Sequence, residues 1–199
     1  MKKFRNALIL VLCALLLVGG TFAVTLAYLT SQDTVTNTFT VGDIEITLDE
    51  ADVDEYGVAV SPAARVDNNE YLLIPNKTYL KDPTIHVDAD SEDSWIFVKI
   101  ENNIDDVLVA TGEDSIAAQL TANGWVAVTD ETNVYAYSTK YEKGQAKKDF
   151  VVFDGITVDA NADLSLVDEA ADQIVVTGYA VQAEGFATAQ AAWDATFGA

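Results

Sequence analysis

The 199-residue chain has one cysteine, one histidine and three prolines, and only 11 Lys or Arg against 32 Asp or Glu. Each shortage closes off a class of chemistry. Cys13 sits in the middle of an apolar run rather than after it, which is not the place of a lipid-modified cysteine. If that run is removed as a signal, no thiol remains for a disulfide, a metal site or a nucleophile. A zinc protease of the His-Glu-x-x-His kind needs two or three histidines. His86, in Thr84-Ile85-His86-Val87, stands alone and reads as an ordinary strand residue. There is no Gly-x-Ser-x-Gly elbow and no glycine-rich phosphate loop ahead of a helix, and carboxylates are too abundant for one pair to mark a glycosidase. No catalytic residue, cofactor or metal ligand is assigned, and the chain is not expected to be an enzyme.

The shortage of cations gives a formal net charge of −21. Such a surface repels phosphate, which excludes non-specific nucleic-acid binding and disfavours anionic lipid. It suits a solubility device, or self-association gated by acid or divalent cations. Half of the residues are apolar and a tenth aromatic, which argues for a packed domain over disorder.

What is present begins with a secretion signal. Lys2, Lys3 and Arg5 precede an apolar run from Ala7 to Val18, broken by Gly19-Gly20-Thr21 and followed by small residues. This order describes a signal peptide over residues 1–27, with cleavage after Ala23 or Ala27. The alternative is a retained anchor, since Phe22 to Leu29 could lengthen the apolar stretch. The glycine pair, Thr21 and Thr25 argue against a stable span. Membrane contact is then expected only through the signal before cleavage. Its loss takes three cations, leaving a net charge of about −24 over a single domain, residues 28–199. No sorting motif or C-terminal apolar tail is apparent, so covalent wall attachment is not expected.

The rest reads as strands. Val35, Phe39 and Val41 share one parity, Ile44, Ile46 and Leu48 the other, with the switch at Gly42 as at a glycine bulge. Trp95 to Ile100 is apolar on nearly both faces and belongs near the centre of a sheet. Tyr71 to Ile74, Thr84 to Val87, Trp125 to Val128, Val134 to Tyr137, Phe150 to Phe153 and Ile174 to Val181 are further predicted strands, separated by turn-formers. Short helices are expected at Ser115 to Leu120 and near the end, where Phe186, Ala189, Trp193 and Phe197 recur at helical spacing with Trp193 as a core plug. The pattern predicts an all-β, jelly-roll-like antiparallel β-sandwich with two short helices. Asp49 to Asn69 reads as an irregular, mobile loop.

Two charged clusters stand out. Asp88, Asp90, Glu92 and Asp93 crowd one turn, and Asp52-Val53-Asp54-Glu55-Tyr56-Gly57 partly imitates an EF-hand loop. That imitation fails at Tyr56 and Ala63, where oxygen ligands are required, so solvated acidic turns are the expectation. Lys140, Lys143, Lys147 and Lys148 surround Lys143-Gly144, either as a solvated hairpin tip or as a cationic knob for an acidic face on another subunit.

Gly19 to Ala23, Ala27-Tyr28-Leu29-Thr30 and Val35-Thr36-Asn37-Thr38-Phe39-Thr40-Val41-Gly42 resemble the opening of the TasA/camelysin-like exported proteins of Gram-positive bacteria. Ile74 to Lys77, Lys81 to Thr84, Trp95 to Asn102, Phe153 to Val158 and Tyr179 to Phe186 with Ala192-Trp193 extend the resemblance over nearly the whole chain. It implies processing by a SipW-type signal peptidase, a jelly-roll-like sandwich, and a role in extracellular biofilm-matrix fibres. It also brings the label metallo-endopeptidase, which a single histidine does not support. The expected function is a secreted, self-assembling matrix or cell-surface subunit. Its partner is another copy of itself, met head to tail. Residues 28–41 are nearly uncharged and free of proline; they suit a donated strand whose Val35, Phe39 and Val41 fill a neighbour's groove. The same segment could instead pair within its own domain. A monomeric surface binding module, with or without dependence on divalent ions, is the other expectation.

Overall fold

A computed structural model describes residues 43–60, 64–168 and 172–198, which belong to one compact unit. The signal, Ala23, Ala27, and the candidate assembly residues Val35, Phe39 and Val41 lie outside the described residues. The strands are β1 (Ile46–Ala51), β2 (Arg65–Val66), β3 (Thr78–Leu80), β4 (Thr84–Val87), β5 (Ser94–Asn102), β6 (Trp125–Ala127), β7 (Val134–Tyr137), β8 (Lys148–Val151), β9 (Gly155–Thr157) and β10 (Ile174–Gln182). Helix α1 is Ile116–Ala122 and α2 is Ala189–Thr196.

Two four-stranded antiparallel sheets, ordered β2-β1-β4-β8 and β10-β5-β7-β6, enclose the core, and a two-stranded sheet β3-β9 adjoins them. The fold is the expected all-β sandwich with two short helices. The sheets meet through alternation: Ile85 and Val87 of β4 and Phe150 of β8 face Ile96, Val98 and Ile100 of β5 in one buried cluster. The opposite parity of β5 places Phe97 in a second cluster, where α2 covers the outer face with Ala192 and Trp193. A strand buried on both faces belongs inside a sheet, and β5 lies between β10 and β7. Trp193 is the expected plug, 5.1 Å from Phe97 and 5.6 Å from Tyr179 between ring centroids. Its indole N–H donates to Glu131 Oε1 at 3.0 Å.

Local chemistry sets the helix ends. Ser115 caps α1 by accepting the Ala118 N–H, and Thr188 caps α2 by accepting that of Ala191. Gly124, at φ +88°, turns the chain from α1 into β6.

Three expectations are corrected. Tyr71 to Ile74 is not a strand; its backbone reaches irregular partners, with the Leu72 N–H on Glu55 O and the Leu72 carbonyl taking the Tyr79 hydroxyl. Residues 49–69 are not simply a loop, because Asp49–Ala51 continues β1 and Arg65–Val66 pairs with it antiparallel. The lysine-rich segment is not a hairpin: β7 and β8 lie in different sheets, and Tyr141 pairs with Ser94 instead.

Candidate functional site

Strand β10 is nine residues long and fully registered on β5, from Ile174 opposite Asn102 to Gln182 opposite Ser94. It ends its sheet, so among the described residues no strand pairs its other edge. Beside the start of β10 a groove of about 900 Å³ opens between the sheets. Leu48 of β1, Ile174 and Val176 of β10, Leu73, Ile104 and Ile156 supply its apolar lining, and Glu50, Asp67, Glu70, Lys81 and Asp172 its charged lining, so the groove is mixed in character. A long open edge beside a partly apolar groove can take up a strand: main-chain groups pair with the edge while alternate side chains fill the groove.

The groove lies far from where the described chain begins. At that point the Asp43 carbonyl accepts the Glu92 N–H and the Glu45 carbonyl accepts that of Asp88. These contacts tie the start of the described chain to the β4–β5 turn, at the end of the sandwich reached by Gln182. The groove is at the other end, around Ile104 and Gln173.

One groove wall holds a buried polar cluster. Glu50 follows Ile44, Ile46 and Leu48 in parity and turns inward with them, so the residue is only 4% exposed. Lys81 Nζ donates to Glu50 Oε2 at 2.6 Å, and Asn69 Nδ2 donates to Glu50 Oε1 at 2.9 Å. The Lys81 ammonium also stands 5.6 Å from the Tyr71 ring centroid. Burial first, and then the negative Glu50, push the Tyr71 hydroxyl well above its ordinary value of 10. Asp49 and Glu50 are neighbours in β1 that face opposite ways, one toward Arg65 and His86, the other toward Lys81.

His86 is a strand residue, as expected, but it is not isolated. Its Nδ1 is 2.5 Å from Asp149 Oδ1 and its Nε2 is 2.9 Å from Asp49 Oδ1. Arg65 bonds Asp49 and reaches Asp82 Oδ2 at 3.0 Å, so the chain of charges crosses β8, β4, β1 and β2. Partial burial pushes the Asp49 carboxyl up, yet the bonds from Arg65 and His86 hold it below its ordinary 3.8.

The acidic turn and the lysines, expected as separate surface features, engage each other. Lys140 Nζ lies 2.6 Å from Asp93 Oδ2, and Lys143 Nζ lies 2.5 Å from Glu92 Oε1. Lys140, and then the Lys143 N–H, hold the Asp93 carboxyl low. Two of the four lysines proposed as a knob are thus paired within their own subunit. In the EF-hand-like stretch, Asp54 Oδ1 accepts the N–H groups of Tyr56 and Val58, folding a turn on itself. Among the described residues no cluster of His, Cys, Asp and Glu has the arrangement of a metal site. Sequence reading missed the Glu50 cluster and the groove. A glutamate at the fourth position of an apolar parity was the available signal.

Comparison with protein families, with curated proteins and with solved structures finds no match to this chain.

Proposed function

We propose that this chain is an exported, self-associating structural subunit of a cell-surface or biofilm-matrix fibre, in which residues 28–41 of one copy are donated to the next. The observation that carries the reading is the open edge of β10 beside a groove partly lined by apolar side chains, at the opposite end of the sandwich from Asp43. A strand leaving one end and a receptor at the other make a head-to-tail contact that does not close, and such contacts propagate as filaments. The Thr- and Val-rich composition of residues 28–41, with Asp33 its one charge, suits that receptor. No turnover of an external substrate belongs to this reading. Deleting Tyr28 to Val41 from the purified protein tests it by electron microscopy: fibres should be lost, and fibres at normal yield would overturn strand donation.

The groove also favours a second reading, a monomeric surface module that takes an extended ligand of other origin. Size-exclusion chromatography at high concentration, at pH 4 and in millimolar calcium separates the two. A protein that stays monomeric throughout supports the module.

A further inference from the structure

We propose that Lys81 and Asn69 form an intramolecular isopeptide bond, with Glu50 as the proton-transfer group between them. One carboxylate holds both partners, since Lys81 Nζ donates to its Oε2 at 2.6 Å and Asn69 Nδ2 to its Oε1 at 2.9 Å. The site is largely closed to water: the side chains of Glu50 and Lys81 are 6% and 11% exposed. The Asn69 amide is fixed in orientation. Its second N–H donation goes to Ala51 O at 2.9 Å, and its Oδ1 accepts the Val53 N–H at 3.0 Å. The cluster therefore contains every part that acyl transfer requires. Lys81 is the amine nucleophile, Asn69 Cγ the electrophile, Glu50 the acid–base group and the Val53 N–H the donor to the developing oxyanion. A buried ion pair stabilises a fold weakly for its desolvation cost, so a reactive role accounts for the arrangement better than a structural one.

The step balances without an oxidant or co-reactant. One proton passes from the Lys81 ammonium to Glu50 along the 2.6 Å hydrogen bond, leaving a neutral amine beside a neutral acid. The amine lone pair attacks Asn69 Cγ, and the carbonyl electrons move to Oδ1 under the Val53 N–H. The bond from Cγ to Nδ2 then breaks as Glu50 protonates the departing nitrogen and takes a proton from the former lysine nitrogen. The Nζ–Cγ amide remains, ammonia leaves through the adjoining groove, and one proton stays on Glu50. The product closes a covalent ring from Asn69 to Lys81 and fixes the groove wall that carries Tyr71 and Leu73.

Intact-mass spectrometry of the purified full chain tests this. The expected mass is below the sequence mass by one ammonia, about 17 Da. Trypsin cuts after Arg65 and Lys77 but not after an acylated Lys81, so the digest should contain a branched species joining 66–77 to 78–99. Glu50→Gln and Lys81→Arg should both restore the full sequence mass and the linear peptides. A wild-type chain at full sequence mass overturns the proposal, as does a deficit that maps to an unbranched peptide. If either variant fails to fold, the wild-type digest decides alone. A Glu50→Gln chain that still carries the branch removes Glu50 from the reaction.

Discussion

Gly178 of β10 lies close against Ile85 of β4, across the space between the two sheets. A Cβ at position 178 would stand 3.1 Å from Ile85 Cδ1 and 3.2 Å from its Cγ1. A side chain at 178 therefore requires the fully buried Ile85 to shift by a few tenths of an ångström within a packed core. Gly178→Val should therefore force the sheets apart at a cost of about 1–3 kcal/mol. A lowered midpoint in urea denaturation is the measurement, and an unchanged midpoint would refute the tight contact.

Trp193 joins α2 to the sheet through Phe97 and Tyr179, and donates a hydrogen bond to Glu131. Trp193→Ala should cost about 3–5 kcal/mol, because it opens a cavity under α2. Thermal unfolding reads it directly.

The acid limb of stability should depend on Asp49. Its folded value lies below the ordinary 3.8, so its contribution is complete above that value and disappears as pH falls through the folded one. The same fall in pH releases Arg65 and one nitrogen of His86. Denaturation midpoints at pH 7 and pH 3 should differ less in Asp49→Asn than in the parent. An identical drop in both would show that other carboxyls govern acid unfolding.

Gly57 occupies φ +73°, and a Cβ there would meet Tyr79 Cα at 2.9 Å. Gly57→Ala combines a left-handed backbone with a clash against a fully buried residue, so it should destabilise by about 1 kcal/mol or more. Chemical denaturation at neutral pH checks it.

Strands β4, β5 and β10 were legible because their apolar residues continue through both parities or alternate without interruption. The turns at Asn123-Gly124 and Lys143-Gly144 were legible because glycine there takes a positive φ. Tyr71 to Ile74 misled because Tyr71 and Leu73 turn inward to the groove while Leu72 and Ile74 are exposed, a strand-like alternation in a segment whose main chain bonds loops; side-chain pattern reports facing, not ladder pairing. The candidate site was less visible. Glu50, Asn69 and Lys81 come from β1, a loop and the end of β3, and only the pairing of β1 with β2 brings the first two together. The groove is lined by residues more than a hundred positions apart in the chain, such as Leu48 and Ile174.

Of the eight cations after residue 27, Arg65, Lys81, Lys99, Lys140 and Lys143 hold carboxylates, while Lys77 and Lys148 lie over aromatic rings. Lys147 alone, among the described residues, has neither. In colloidal terms each subunit is a particle of one sign, whose field decays over about 8 Å at physiological salt. Two such bodies resist approach only within the last nanometre. A fourteen-residue arm, fully extended, spans up to about 46 Å, several screening lengths. In the proposed assembly the arm would engage its receptor before the bodies sense each other, so added salt should change how closely subunits settle more than whether they join.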